Sequence, residues 1–373
     1  MPCLYEYLFV NETVKTKTLV LEGWVPTYAL PDVINEFNNN AYENLIVTGI
    51  PITQYEYISD FKYTSQATVR ALRHFGFTKT IYEADIPTNI YKDRTYSTAI
   101  VSKEIFEEHP QWEKSFNLYS MGVHSRRSRF LFEKVFSDDF EIGIIAKNDR
   151  AFIGKKWWTS SIGFRNISNE ALAYFYNILF FHPEENNFKS KIKQGKFFDK
   201  HQNSRLQKNI DFTDTLTSPF NSEEIHKHTG FKYFDIDEEY LVISRFTIDT
   251  TQATFEMTTT TDRKPIYRIY GYLDFIIHDT SLRLTAYQNM GFINHPEYGN
   301  SLFVPFTDLT SGILSYGGGR YLDIEIPSGD SLLLDFNDAY NPYCAYAKRW
   351  SCPLVPFDNH LNIRVKAGEK KYK

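Results

Sequence analysis

Three points in the 373-residue chain place polar and small residues where chemistry needs them. Leu21-Glu-Gly-Trp24 follows an apolar run, Thr48-Gly49 closes a second run, and Gly122-Val123-His124 closes a third just before a helical pattern. Small residues at such points let a ligand approach the backbone. Ser125 reads as the N-cap of the helix that follows, whose free N–H groups would hold a phosphate or carboxylate. Arg127 stands four residues before Leu131, so it projects from that helix's inner face, where a guanidinium calls for an anion. At a helix N-terminus His124 is expected to be neutral near pH 7, ready to act as acid or base, with Arg127 neutralising developing anionic charge and Glu22 as the third member. The plainer alternative is that Arg127 pairs with Glu22 or another carboxylate and that His124 only caps a loop.

Those positions are useful only if the intervening elements bring them together. Residues 18–22, 45–49, 81–84, 116–121 and 141–145 read as strands; 28–38, 64–75, 94–108, 125–136 and 168–181 read as helices. This alternation implies right-handed crossovers and an open, Rossmann-like parallel sheet with flanking helices. In such sheets ligands sit beyond the carboxyl ends of the strands. No GxGxxG follows the first strand, and neither a P-loop nor a Gly-x-Ser-x-Gly elbow occurs, so the site belongs to none of those nucleotide or hydrolase classes.

Residues 189–208 hold seven basic side chains and one acidic, the one strongly basic window, and read as a solvated connector or exposed helix between residues 1–188 and 209–373. Beyond it the apolar period changes to two, as at Leu282 and Leu284 or Leu361, Ile363 and Val365. That half is expected to be a mostly antiparallel β barrel or sandwich. Its candidate site residues are Arg320, beside the Gly317-Gly-Gly319 run, and Asp335, Asn337 and Asn341. The glycines could form an anion-binding nest or a turn, and the Asx residues could simply build local turns. Cys344 and Cys352, eight positions apart, would permit a disulfide in an oxidising compartment; free thiols are the preferred reading.

With 42% hydrophobic and 23% charged residues the chain can build cores, and a formal charge of -5 argues against a dedicated nucleic-acid binder. Three cysteines exclude a disulfide-rich scaffold, and no Cys/His zinc spacing occurs, so no metal is expected. Residues 1–10 do not read as a signal peptide, and the longest apolar run, 171–181, is about half of the roughly 20 residues that span a bilayer. A cytoplasmic location is the expectation.

Leu21-Glu-Gly-Trp24, Thr48-Gly49, Arg94-Thr-Tyr-Ser-Thr-Ala99 and His124-Ser-Arg-Arg127 fall in the order and spacing of the YdcF-like family, which includes the SanA and ElyC proteins of bacterial envelopes. The resemblance covers about residues 18–181. It implies a Rossmann-type domain with Gly23, Thr48, Gly49, Thr95, His124 and Arg127 lining a pocket, and S-adenosylmethionine as a ligand suggested for a member. The chain departs from the family pattern at Tyr63-Thr64-Ser65, where Ser-Glu-Ala is common, and at Arg94, where Asn is usual. Both changes make the pocket less acidic and favour a nucleotide-like or phosphorylated anion over a sulfonium. An enzyme acting on such a compound would be a transferase or hydrolase. The competing expectation is a non-catalytic protein whose aromatic-rich β half recognises a partner or glycan.

A second resemblance covers about residues 190–373. Gly319-Arg-Tyr-Leu322, Asp335-Phe-Asn-Asp-Ala-Tyr-Asn-Pro-Tyr-Cys-Ala345, Cys352-Pro353 and Ala367-Gly-Glu-Lys370 match the motifs of an uncharacterised bacterial family of unknown function. It implies a largely β fold and no reaction.

Overall fold

The structure, a computed structural model, describes residues 2–52 and 60–372. The chain divides into two compact units, Met1–Asp199 and Lys200–Lys373.

In the first unit α1 (Pro2–Leu8) precedes five strands: β1 (Thr18–Glu22), β2 (Asn44–Gly49), β3 (Ile81–Asp85), β4 (Ser115–Met121) and β5 (Glu141–Lys147). All pair in parallel in the order β3-β2-β1-β4-β5. Every residue of β1 and β4 is buried; β1 accordingly has a continuous apolar centre, Leu19-Val-Leu21, while β4 also buries the polar Ser115, Asn117 and Ser120. The helices α2 (Leu30–Asn39) and α3 (Thr64–His74) cover one face, with Val33, Phe37 and Leu72 against Leu19, Leu21 and Val47. The other face carries α4 (Arg94–Glu108) and α5 (His124–Phe136), with Ala99, Ile100, Leu131 and Phe132 against Val20, Ile46 and Leu118. The strand order reverses between β1 and β4. A doubly wound sheet opens its crevice at that switch point, so the ends of β1 and β4 define where a ligand can enter.

One helix starts well before its expected limit, and one settles an alternative. α6 (Ser161–Leu179) begins seven residues before the expected start, because Ser160 caps it by accepting from Gly163 N–H at 3.1 Å. The basic stretch 189–208 lies inside one helix, α7 (Glu185–Thr213), the second of the two readings given for it. Among the described residues no helix is long and apolar enough to cross a membrane.

After α8 (Ser222–Lys227), the second unit has the expected mostly antiparallel β architecture, one sheet curled into a half-barrel. Its strands are β6 (Leu241–Ile248), β7 (Thr254–Glu256), β8 (Ile266–Ile277), β9 (Thr280–Asn289), β10 (Ser301–Asp308), β11 (Arg320–Glu325), β12 (Ser331–Asp335) and β13 (His360–Leu361). The main path runs β11-β10-β9-β8-β6-β12, antiparallel throughout, while β13 joins β10 in parallel. The long β8–β9 hairpin turns on His278 and Asp279, both with positive φ, the backbone of the two-residue turn that matches strand twist. Leu273, Leu284, Leu302, Val304 and Phe306 form its core.

Candidate functional site

β1 delivers Glu22 into the crevice, almost fully buried, where its carboxylate accepts from Ser120 Oγ of β4 (2.5 Å) and Ser128 Oγ of α5 (2.8 Å). His124 opens α5 with Nε2 3.6 Å from Glu22 Oε1 and Nδ1 3.0 Å from Glu170 Oε1 on α6. Arg127, one turn on, grips the same Glu170 with two bonds, Nε to Oε2 at 2.8 Å and Nη2 to Oε1 at 3.0 Å. The Trp24 ring meets the imidazole edge-on at 5.0 Å. Two cations and two anions thus interlock at the end of the sheet, each fixed by charge-assisted bonds.

This arrangement corrects the expected protonation state of His124. Burial by itself would push the imidazole down, but Glu22 and Glu170 outweigh it and raise the pKa from 6.5 to about 9. Arg127 Nη2 also lies 2.9 Å from Nδ1. A charged imidazole cannot accept from it, so Nδ1 donates to Glu170 and the guanidinium is held by that carboxylate. Glu22 and Glu170 are correspondingly held below the usual carboxylate range: burial opposes this, and His124, with Arg127 for Glu170, overcomes it. At neutral pH His124 is therefore an imidazolium, able to give a proton but not to take one.

A cavity of about 780 Å³ opens beside this tetrad and is lined by Glu22, Thr48, His124, Arg127 and Glu170. Arg127 is thus paired with a carboxylate and yet borders open space. Arg94 and Thr95, from the first turn of α4, line another part of it. The residue preceding α4, Asp93, has φ 52 and its side chain caps nothing, so the helix N-terminus keeps N–H groups without a side-chain acceptor. Among the described residues Arg94 has no ion pair. Asn166, Asn169 and Asn177 of α6 face the same space. Asn177 is only 7% exposed and lines the cavity from the last turns of α6.

Gly23, Gly49 and Ser125 do not line the cavity. A Cβ on Gly23 would lie 2.0 Å from the Thr48 carbonyl oxygen, and one on Gly49 would lie 1.7 Å from Asp85 Oδ1. These glycines make room for the protein's own neighbouring groups rather than for a ligand. Gly23→Ala should cost about 1–3 kcal/mol or more, seen as a lower denaturant midpoint with an unchanged slope. Ser125 is not the expected N-cap. Val123 holds that position without a side-chain bond, and the Ser125 hydroxyl accepts from Val10 N–H (2.9 Å) while donating to the Leu8 carbonyl (3.3 Å), tying the N-terminal segment to α5.

Glu170 and Asn177 were not foreseen. Their signal was a polar stripe, Asn166, Asn169, Glu170 and Asn177, on one side of an otherwise apolar helix.

In the second unit the four candidates serve the fold. Arg320, 0% exposed, donates to the carbonyls of Val365 (2.8 Å) and Ala367 and to Asp308 (3.3 Å). Asp335 caps a short turn by accepting from Asn337 N–H at 3.0 Å; Asn337 exchanges bonds with the Asp237 backbone, and Asn341 donates to Lys370 O. His201, Asp335 and Asp338 are the group among the described residues whose ligand atoms, within 4.8 Å of one another, come close enough for a metal. Each imidazole nitrogen instead faces a carboxylate at 2.9 Å. Burial lowers this histidine's pKa, but the two aspartates outweigh it and carry it up to about 9.

The motifs that hold this second fold together now have counterparts elsewhere. Residues 226–370 are a DUF1684 domain, a family described as proteins of unknown function. The resemblance drawn from the glycine, Asx and cysteine motifs is thereby borne out for the C-terminal half. A solution NMR structure of the uncharacterized protein from gene locus rrnAC0354 of Haloarcula marismortui is 36% identical over 48% of this chain and 96% of that one, with a TM-score of 0.38. No curated protein matches the chain.

Proposed function

We propose that the N-terminal unit, a YdcF-like domain, binds a phosphorylated or nucleotide-like small anion in the cavity above β1 and β4. The anion seat is the first turn of α4, where Arg94, without an ion pair among the described residues, the Thr95 hydroxyl and a helix N-terminus without a side-chain cap supply positive potential. Arg127, assigned that role from sequence, is occupied by Glu170 and holds the opposite wall. The observation that carries this reading is the first turn of α4: Arg94, with no ion pair among the described residues, and a helix N-terminus without a side-chain cap border the same open cavity that Asn166, Asn169 and Asn177 line from α6. If a transfer or hydrolysis follows binding, His124 enters it as proton donor.

Thermal unfolding of the full chain tests the proposal against AMP, ATP, pyrophosphate and S-adenosylmethionine. A phosphate-bearing ligand at a hundredfold excess over its Kd stabilises by about 2.7 kcal/mol, a rise of several degrees; adenosylmethionine, which carries no phosphate, gives less. Arg94→Gln and Asn177→Leu should each abolish most of the shift without lowering the unliganded midpoint. Indifference to every phosphate compound would remove the proposal. It would favour the second reading, recognition of a partner by the DUF1684 domain, which presents the largely exposed, paired Ile243 and Leu333 on its sheet.

A further inference from the structure

The DUF1684 domain contains a thiol pair whose surroundings go beyond packing. Cys344 sits in a single 3₁₀ turn, Tyr343–Ala345, and is partly exposed; Cys352 is buried. The buried sulfur is fixed against the other residue's backbone, since Cys344 N–H donates to Cys352 Sγ at 3.2 Å. The Cys352 backbone is itself pinned, with its N–H on Thr260 Oγ1 (3.1 Å) and its carbonyl accepting from Thr260 N–H (2.9 Å). Over the Cys344 sulfur stands the Tyr316 hydroxyl, 3.8 Å from Sγ. The glycine run explains that placement: a Cβ on Gly318 would lie 2.6 Å from the Tyr316 ring, so the ring can fold back over the turn only because residue 318 has none. A partly exposed cysteine, its sulfur facing a hydroxyl donor and backed by a second thiol, has the parts of a peroxide-reactive cysteine.

We propose that Cys344 is a nucleophilic thiol oxidised by hydroperoxides and that Cys352 is its resolving partner. The Cys344 thiolate attacks the peroxide, forming an S–O bond as the O–O bond breaks; the departing alkoxide or hydroxide takes a proton. Cys352 sulfur then attacks the sulfenic acid, an S–S bond forms, the S–O bond breaks and water leaves with the thiol proton. Two thiols and one hydroperoxide thus give one disulfide, one alcohol or water, and one further water. The hydrogen bond from Cys352, then those from Tyr316 and Thr260, favour ionisation of Cys344, while the same bond, with burial, keeps Cys352 protonated.

Hydrogen peroxide applied in equimolar amount to the native full chain, followed by alkylation and peptide mass mapping, tests this. The third cysteine, Cys3, is exposed and serves as an internal reference. The expected product is a Cys344–Cys352 disulfide, two mass units lighter, with Cys344 consumed at least about tenfold faster than Cys3. In Cys352→Ser, dimedone should trap a sulfenic acid at Cys344. Tyr316→Phe, which keeps the ring, should slow the reaction several-fold; this arm decides the matter if Cys352→Ser does not fold. Cys3 reacting as fast as Cys344, or Cys344 passing to sulfinic acid without a disulfide, would overturn the proposal.

Discussion

Arg320→Ala should bring the DUF1684 domain to the edge of unfolding, with a loss of about 3–5 kcal/mol from a total that for most domains is about 5–15 kcal/mol. The guanidinium has no solvent contact, rests over Phe306 at 5.1 Å and Phe234 at 5.6 Å, and gathers the 365–369 segment onto the start of β11. Its removal leaves the Val365 and Ala367 carbonyls without this donor and Asp308, 2% exposed, without a counter-ion. Asp308 would still accept from Val365 N–H (2.8 Å) and from Thr310, so its own loop would persist while its charge went uncompensated. The double variant Arg320→Met/Asp308→Asn should therefore be more stable than Arg320→Ala, because neither buried charge remains. Urea unfolding followed by near-ultraviolet circular dichroism separates the cases. A loss below about 1 kcal/mol for Arg320→Ala would mean that the pair contributes nothing beyond a surface contact.

The same residue shows what a sequence can and cannot disclose. Arg320 stood out because a charged residue follows three glycines, but its role depends on carbonyls 45 to 49 positions away, which no local pattern encodes. Where structure is local, the reading held: β1 and α4 match their expected limits because a continuous apolar run and a helix bounded by Asp93 and His109 are decided within their own residues. Glu22 and His124 were found because strand ends converge in any parallel sheet. Glu170 was not, because it lies 46 positions from His124 on a helix whose rotation is set by packing. The expected neutral His124 failed for a reason of magnitude. A helix N-terminus contributes about 0.3–1 kcal/mol against a positive charge, and two carboxylates contribute more in its favour.

That balance makes the N-terminal unit's stability pH-dependent on its basic side. His124 has its pKa raised from 6.5 to about 9, so the stabilisation from its charged form is complete below about pH 6.5 and is lost as pH rises through 9. A rise of that size corresponds to about 3 kcal/mol. Glu22 and Glu170, both depressed, act in the opposite sense: their contribution is present above the ordinary carboxylate range and disappears as pH falls below it. Stability should therefore form a plateau across neutral pH with a limb on each side. Glu170→Gln removes one of the two anions holding the imidazolium and the bidentate partner of Arg127, whose side chain is only 20% exposed. At pH 7 this should cost about 2–4 kcal/mol, flatten the basic limb and bring the His124 pKa down. The Cε1 proton resonance of His124 reports that pKa directly, and a midpoint near 6.5 in the unaltered protein would refute the charged tetrad. The titration also reaches the ligand. Once His124 loses its proton, the wall formed by Glu22, His124, Arg127 and Glu170 becomes net negative, so affinity for a phosphorylated anion should fall above pH 9.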